Sequence, residues 1–387
     1  MAIWRDYQVR GWPTLVLLDA AGVIAGRVES EPDPDTFERT IQALVDQAAR
    51  GGSLQPATLA LQVEAPPVRR FLFPGKLKRI MDQPRQWTLA DAGHHQIVVL
   101  DDHGAEVRRI GSGTPGFRDG PARQALFNQP QGLISDGHAI YVADTGNHAI
   151  RRIDRATGAV STLAGTGARG RSLQAPAAGR NAALASPWDL EIAGDSLFFA
   201  NAGTHQIGVL DLSDGRIRPY AGTGAEDLTS GDAADAGFAQ PSGLALDPKR
   251  TTLYVADSES SAVRAITLGR RPQVATLVGA GLFEFGWVNG PVRQARLQHP
   301  LGVAAFGNSV LVADTYNSTI RVIDPAQETV RDFDDGSFTC NDPLCLPARE
   351  PAGVVADGSD RVLLVDTGNH RIDIYQPSTP TYRTWAV

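Results

Sequence analysis

Short apolar runs alternate with polar, turn-forming clusters along most of this chain, and the runs have the length of strands rather than helices. Segments such as Ala139-Ile140-Tyr141-Val142, Thr252-Leu253-Tyr254-Val255 and Ile320-Arg321-Val322-Ile323 are rich in β-branched and aromatic residues. Those side chains fit a pleated, half-buried surface, so the pattern predicts strands. Two of the runs flank a recurring polar hairpin, seen as Ala143-Asp144-Thr145-Gly146-Asn147-His148 and Val365-Asp366-Thr367-Gly368-Asn369-His370. Its acidic or Asn position falls at 91, 144, 201, 257, 314 and 366. A third strand precedes each hairpin pair, as in Pro130-Gln131-Gly132-Leu133-Ile134 and Pro241-Ser242-Gly243-Leu244-Ala245, and a fourth follows, as in Val160-Ser161-Thr162-Leu163-Ala164. Six copies of a four-stranded unit predict a mainly β fold, a six-bladed β-propeller, because radial closure leaves only short protected sheet edges.

The hairpin Asp144-Thr145-Gly146-Asn147-His148-Ala149-Ile150 resembles the signature of NHL repeats. Longer stretches, Gly237-Phe238-Ala239-Gln240-Pro241-Ser242-Gly243-Leu244 and Leu297-Gln298-His299-Pro300-Leu301-Gly302-Val303, resemble the propeller of the NHL repeat-containing protein 2 family. That resemblance implies a thioredoxin-like domain fused to the propeller. Residues 73–387 are assigned to the propeller and 51–72, rich in Gly, Pro, Ala and Gln, to a linker. Residues 1–50 read as strand, turn, strand and an amphipathic helix from Pro34 to Ala49, with Phe37, Ile41, Leu44 and Val45 on one face. They are similar to the C-terminal half of a thioredoxin fold, where Pro13 matches the cis-proline. No Cys-x-x-Cys lies ahead of Pro13 in the sequence, so the family's redox element has no counterpart here.

Composition narrows the function less than the fold. The 40 glycines and 25 prolines largely mark repeat boundaries. A net charge of −7 speaks against nucleic acid as the partner, although Lys76-Leu77-Lys78-Arg79 and Arg151-Arg152 form local basic clusters. No apolar run is long enough to span a membrane and the first residues lack a secretory layout, so a cytoplasmic chain is expected. Only two cysteines are present, Cys340 and Cys345, in a loop whose Asn-Asp-Pro turn could bring them to bridging distance; a disulfide and two free thiols are both open.

Departures from the repeat mark the candidate site. Where other units read Pro-x-Gly-apolar, the third has Pro187-Trp188-Asp189-Leu190-Glu191, and Asn201 replaces its hairpin aspartate. Alternate side chains, either Asp189 with Glu191 or Trp188 with Leu190, are expected to face the central channel. Paired carboxylates there would suit Ca²⁺ or Mg²⁺, whereas a salt bridge to a neighbouring Arg is the plainer account. The histidines at 95, 148, 205 and 370 lie too far apart, roughly 10 Å between blades, to share a zinc ion and are expected to complete turns. The hairpin aspartates are expected to accept backbone N–H groups of their own hairpins. The long inter-blade loops, with no coherent catalytic set, favour a non-catalytic scaffold that binds a protein or peptide on the loop-decorated face. The alternatives are a thiol–disulfide redox protein and a metal-dependent hydrolase or lyase using the channel.

Overall fold

A computed structural model describes residues 14–28, 34–54, 69–80, 86–174, 176–340, 342 and 346–387. The chain divides into two compact units, Met1–Pro67 and Val68–Val387. In the first, strands β1 (Leu15–Leu18) and β2 (Ile24–Val28) form an antiparallel hairpin, followed by helix α1 (Pro34–Arg50). Phe37 and Leu44 are half-buried, whereas Ile41 and Val45 of the same stripe are exposed. Pro13, read as the cis-proline, lies outside the described residues.

The second unit is a six-bladed propeller. Its inner strands are Pro74–Arg79, Gly132–Ser135, Pro187–Ala193, Pro241–Leu246, Gly302–Phe306 and Gly353–Ala356, one per blade in chain order, and each packs against the next until the sixth meets the first. Every blade is an antiparallel sheet of four strands in sequence order. The side chain after each glycine-like position, Leu77, Leu133, Leu190, Leu244, Val303 or Val354, is buried between blades. The ring closes without exchanging a strand: Thr367 Oγ1 donates to Pro74 O at 2.8 Å, Trp87 and Trp385 meet edge to face at 5.9 Å, and Arg361 bonds Asp102 at 2.7 Å. Phe71 is fully buried in that junction and the Leu72 N–H bonds Asp91, so the propeller begins before residue 73 and takes in the end of the expected linker.

The long inter-blade loops pack in two ways. Each sends an apolar residue into the inter-blade core, among them Phe127, Leu184, Phe238 and Leu297. Short segments Ala177–Ala178, Gly231–Asp232, Gly290–Pro291 and Thr339–Cys340 pair with the outer strand of the blade they lead into, covering an edge that would otherwise expose unpaired N–H and C=O groups.

The hairpin aspartates correct the sequence reading in one respect. Asp144 Oδ1 accepts the N–H of Asn128, in the loop that enters its blade, at 2.8 Å, and Asp257, Asp314 and Asp366 do the same for Ala239, Gln298 and Arg349. These carboxylates therefore fasten the loop to the blade rather than closing their own turns. The other oxygen of Asp144 meets Asn147 Nδ2 and the fully buried Arg151, at 2.8 and 2.7 Å. Asp314 repeats the pattern with Asn317 and Arg321, and Asp257 with Ser260 and Arg264.

The hairpin histidines latch neighbouring blades. His95, His148, His205 and His370 take left-handed backbone conformations, as do Ser261 and Ser318 in the remaining blades. Each side chain accepts a backbone N–H from the residue leading into the next blade: Gln129 to His95, Ser186 to His148, Gln240 to His205, Phe73 to His370, His299 to Ser261 and Glu350 to Ser318, all between 3.0 and 3.2 Å. An accepting Nδ1 must be unprotonated, with the proton on Nε2. Burial lowers all four imidazoles below their ordinary range. A depressed histidine contributes stability that is complete above the unfolded value, about 6.5, and is lost as pH falls through the folded one. Replacing the four by serine, the residue blades 4 and 5 already use, keeps an acceptor and removes the titration. Between about pH 8 and pH 5 the melting temperature of the parent is expected to fall more steeply than that of the His→Ser variant; parallel curves would refute the latch.

Candidate functional site: a charged axis and a loop-decorated face

Blades 1 and 3 alone break the glycine position of the inner strand, with Lys76 and Asp189 where blades 2, 4, 5 and 6 carry Gly132, Gly243, Gly302 and Gly353. The inner strands come so close that a Cβ on Gly132 would lie 2.5 Å from Asp189 Cα. A larger side chain at this level therefore has to run along the axis. Lys76, almost wholly buried, donates through Nζ to the carbonyls of Leu301 in blade 5 and Ala352 in blade 6, and its N–H bonds Gln131 O in blade 2 at 2.7 Å. Two residues on, Lys78 Nζ reaches Glu191 Oε2 and Leu244 O, both at 3.2 Å. Asp189 accepts the N–H groups of Leu190 and of Leu244 in blade 4, each at 2.9 Å. One lysine-rich strand thus ties all the other blades across the axis.

Two lysines face two carboxylates here, and their titration reflects it. Burial pushes the Lys76 ammonium down to about 8, with Asp189 pulling the other way. Burial also opposes the charge on Lys78, but Glu191 and Asp189 outweigh it and hold that ammonium above the usual lysine range. The Asp189 carboxyl is raised by burial, against the attraction of Lys78 and Lys76.

Of the residues singled out from sequence, Asp189 and Glu191 both act on Lys78 at the axis, whereas Leu190 is buried in the inter-blade core. Glu191 meets the Lys78 ammonium rather than an arginine, while Asp189 accepts backbone N–H groups and feels the charge of Lys78 and Lys76. Among the described residues, no three His, Cys, Asp or Glu side chains converge as a metal centre. Trp188 is half-buried beside Asp189, its Nε1 without a hydrogen bond among the described residues. Asn201 does not join the channel group: it is fully buried at the end of the second strand, where its amide accepts the Ala185 N–H at 2.9 Å and donates to Thr204 Oγ1 at 2.6 Å. Its partner change lies seven residues on, where Gly208 stands in place of the buried arginine and the Phe199 ring fills the space, so close that a Cβ would sit 2.1 Å from its Cζ. Asn201 and Gly208 are a joint neutral replacement of an Asp–Arg pair. Cys340 is disulfide-bonded, and Cys345 lies outside the described residues.

The opposite case to the closed axis is the face carrying the hairpins and inter-blade loops. The loop before blade 5 displays Phe283, Phe285 and Trp287, which are 86, 58 and 56% exposed. Its backbone is held: Gly286 N–H bonds Leu297 O at 2.9 Å, Gly286 O accepts from Asn317 Nδ2 at 2.8 Å, and Trp287 Nε1 donates to Asp332 at 3.0 Å. Tyr316, also exposed, stacks on His299 at 4.4 Å nearby in the same blade. Sequence reasoning missed this cluster, although its alternating aromatics between glycines, Phe283-Glu284-Phe285-Gly286-Trp287, were a readable signal.

Known proteins agree with this architecture. The family model described as NHL repeat matches residues 297–323, the end of the loop and the first three strands of blade 5. Human NHL repeat-containing protein 2 is 34% identical over 98% of this chain, which spans 57% of that relative's length. The Arabidopsis thaliana protein SUPPRESSOR OF QUENCHING 1, chloroplastic, is 33% identical over 96% of this chain and 37% of its own. Among solved structures, a putative gluconolactonase superposes with a TM-score of 0.51 at 13% identity, covering 81% of this chain and 91% of that one, a likeness of fold alone. Six repeats of one hairpin-latched blade, the NHL-repeat match within blade 5 and relatives that align with nearly all of this chain converge: the chain is a six-bladed β-propeller that carries an NHL repeat and is similar over nearly its whole length to NHL repeat-containing protein 2.

Proposed function

We propose that this chain is a binding scaffold that offers its hairpin-and-loop face to a protein partner. The observation that carries this reading is the aromatic loop at 283–287, in which three large apolar side chains are held out on a backbone fixed by hydrogen bonds. Exposed aromatic clusters on a rigid support cost free energy in water and are the residue types that dominate protein interfaces. Ordering such a loop in advance also reduces the entropy lost on association. The channel supports the same reading, since Asp189 and Glu191 are matched by Lys76 and Lys78 and have little left to offer a substrate.

Capture with the full chain tests it. A partner recovered in near-equal amount from a lysate of the source organism is expected to be lost at least tenfold when Phe283, Phe285 and Trp287 are replaced by serine, with the melting temperature unchanged. Retention by that variant, or saturable turnover of an ester, lactone or peptide panel by the parent, would overturn the scaffold reading.

A further inference from the structure

The second residue after the hairpin aspartate or asparagine can be compared across all blades. It is Gly93, Gly146, Gly203, Glu259, Tyr316 and Gly368 in order. In every blade the N–H of this residue donates to a carbonyl of the entering loop, that of Leu72, Asn128, Ala185, Ala239, Gln298 or Arg349, at 2.7–3.1 Å. The backbone thus does the same work six times, and the glutamate and tyrosine add side chains that this bond does not use. In the four glycine blades a Cβ would meet the entering loop at 2.6–3.1 Å, a close fit that blades 4 and 5 forgo. The same two blades carry Ser261 and Ser318 where the others have the latching histidine.

The two added side chains meet in one patch. Glu259 Oε1 lies 3.7 Å from Nδ1 of His299, in the loop entering blade 5, and the His299 ring stacks on Tyr316 at 4.4 Å with the planes 10° apart. On the other side of Tyr316, the Glu350 N–H bonds Ser318 Oγ at 3.2 Å. Burial raises the Tyr316 phenol, and the charges of Glu259 and Glu350 add to it; burial and then the charge of Glu226 raise the Glu259 carboxyl. Burial pushes His299 down to about 4, so it is neutral near pH 7 and cancels none of this charge. Among the described residues no lysine or arginine pairs with Glu226, Glu259 or Glu350. Arg349 reaches instead toward the blade 6 hairpin, its Cγ 2.7 Å from where a Cβ on Gly368 would lie.

The aromatic loop borders this patch. Gly286 O accepts from Asn317, the residue after Tyr316, so the exposed Phe283, Phe285 and Trp287 stand beside the Tyr316 ring. The rest of the hairpin face has the opposite charge. Arg169 acts on His148 and His205, and Arg69 and Arg349 act on His370. The departures from the repeat, the exposed aromatic surface and the unmatched carboxylates therefore coincide in one sector, that of blades 4 and 5.

We propose that this sector receives an extended segment of the protein partner in which a lysine or arginine is flanked by apolar residues, the cation over Tyr316 between Glu259 and Glu350 and the apolar neighbours on the aromatic loop. The inference rests on the scaffold reading and names the chemistry of the partner. A cation is attracted to the face of a tyrosine ring, and His299 covers one face of Tyr316 while the side chain stays 55% exposed. Complementary charge beside an apolar anchor fixes the register of a bound segment and rejects wrong partners. An acidic segment would bring its carboxylates against those of Glu226, Glu259 and Glu350.

Panning a random dodecapeptide phage library on the full chain, then measuring the most enriched peptide by fluorescence anisotropy, tests the site without needing the partner. The enriched sequences are expected to share a lysine or arginine next to aromatic or aliphatic residues. Glu259→Gly with Tyr316→Gly, which restores the residue of the other four blades, should weaken the peptide at least tenfold with the melting temperature unchanged. Glu259→Gln with Glu350→Gln should weaken it at least fivefold. Asp195→Asn with Asp214→Asn makes the same charge change in exposed turns of the opposite face and should leave the affinity within twofold. No enrichment, enriched sequences without a basic residue, unchanged affinity in either of the first two variants, or an equal loss in the third would overturn the proposal. If a captured partner needs Phe283, Phe285 and Trp287 but is released by neither the glycine nor the glutamine variant, the cationic segment alone falls and the scaffold reading stands.

Discussion

Arg151→Ala is expected to cost about 3–5 kcal/mol of stability in urea unfolding, as much as any single substitution in the propeller. Its guanidinium is wholly buried and bonds Asp144, Asp119 and the carbonyls of Leu126 and Arg118. Truncation leaves the Asp144 carboxylate in the interior without its cation and two loop carbonyls without donors, and an uncompensated buried charge costs more than the intact pair was worth. Blade 3 shows how the same fold manages without the pair. Copying it, with Asp144→Asn, Arg151→Gly and Val142→Phe to fill the space as Phe199 does, is expected to recover most of the loss. A triple variant as unstable as Arg151→Ala would mean that the guanidinium is needed for holding the loop and not for matching the carboxylate.

Removing Asp189 is the second large perturbation. Asp189→Ala leaves Lys76 in the interior with carbonyls alone, and a loss of about 3–5 kcal/mol is expected near pH 7. The loss should depend on pH in a defined direction. Lys76 already titrates near 8 in the folded protein, below its ordinary value of 10.5. A base depressed by folding contributes stability that is complete above the unfolded value and is lost as pH falls through the folded one. Without Asp189 the folded value drops further, so the variant is expected to lose stability across the neutral range, where the parent has already levelled off, and to approach the parent near pH 9 to 10. The double variant Lys76→Gly with Asp189→Gly restores the glycine of the other blades; it should be close to the parent near pH 7 and lack the change in stability that Lys76 gives the parent between about pH 8 and 10.5. Urea midpoints at several pH values check both statements; a pH-independent deficit in Asp189→Ala would place the cost in packing instead.

The blades were readable in the sequence because each is specified locally: a β-branched run, a hairpin with a left-handed residue, a second run. Strand positions such as Ala139–Asp144 and Thr319–Asp324 follow from that pattern. The axis was harder to read because its chemistry joins residues more than a hundred positions apart. Lys76 and Lys78 look like a surface basic cluster until Pro74-Gly75-Lys76 is aligned with the Pro-x-Gly start of the other inner strands. Asp189 and Glu191 stood out as departures from the repeat, but their lysine partners did not. The buried arginines at 151, 264 and 321 keep a fixed distance from the hairpin aspartate and were legible in principle. What the pattern hides is direction: an aspartate in a turn favours local N–H groups, and only the packing of the entering loop turns it toward Asn128 or Gln298.

The proposed partner-binding surface is the hairpin-and-loop face, at the aromatic loop of blade 5. Hydrogen–deuterium exchange of the full chain, with and without the captured partner, tests that most directly. Protection is predicted at residues 282–289 and at the neighbouring hairpin 315–318, with no change in the turns at 101–105 and 154–158 between third and outer strands. Protection confined to those turns, or an unchanged 282–289 in a saturated complex, would contradict it.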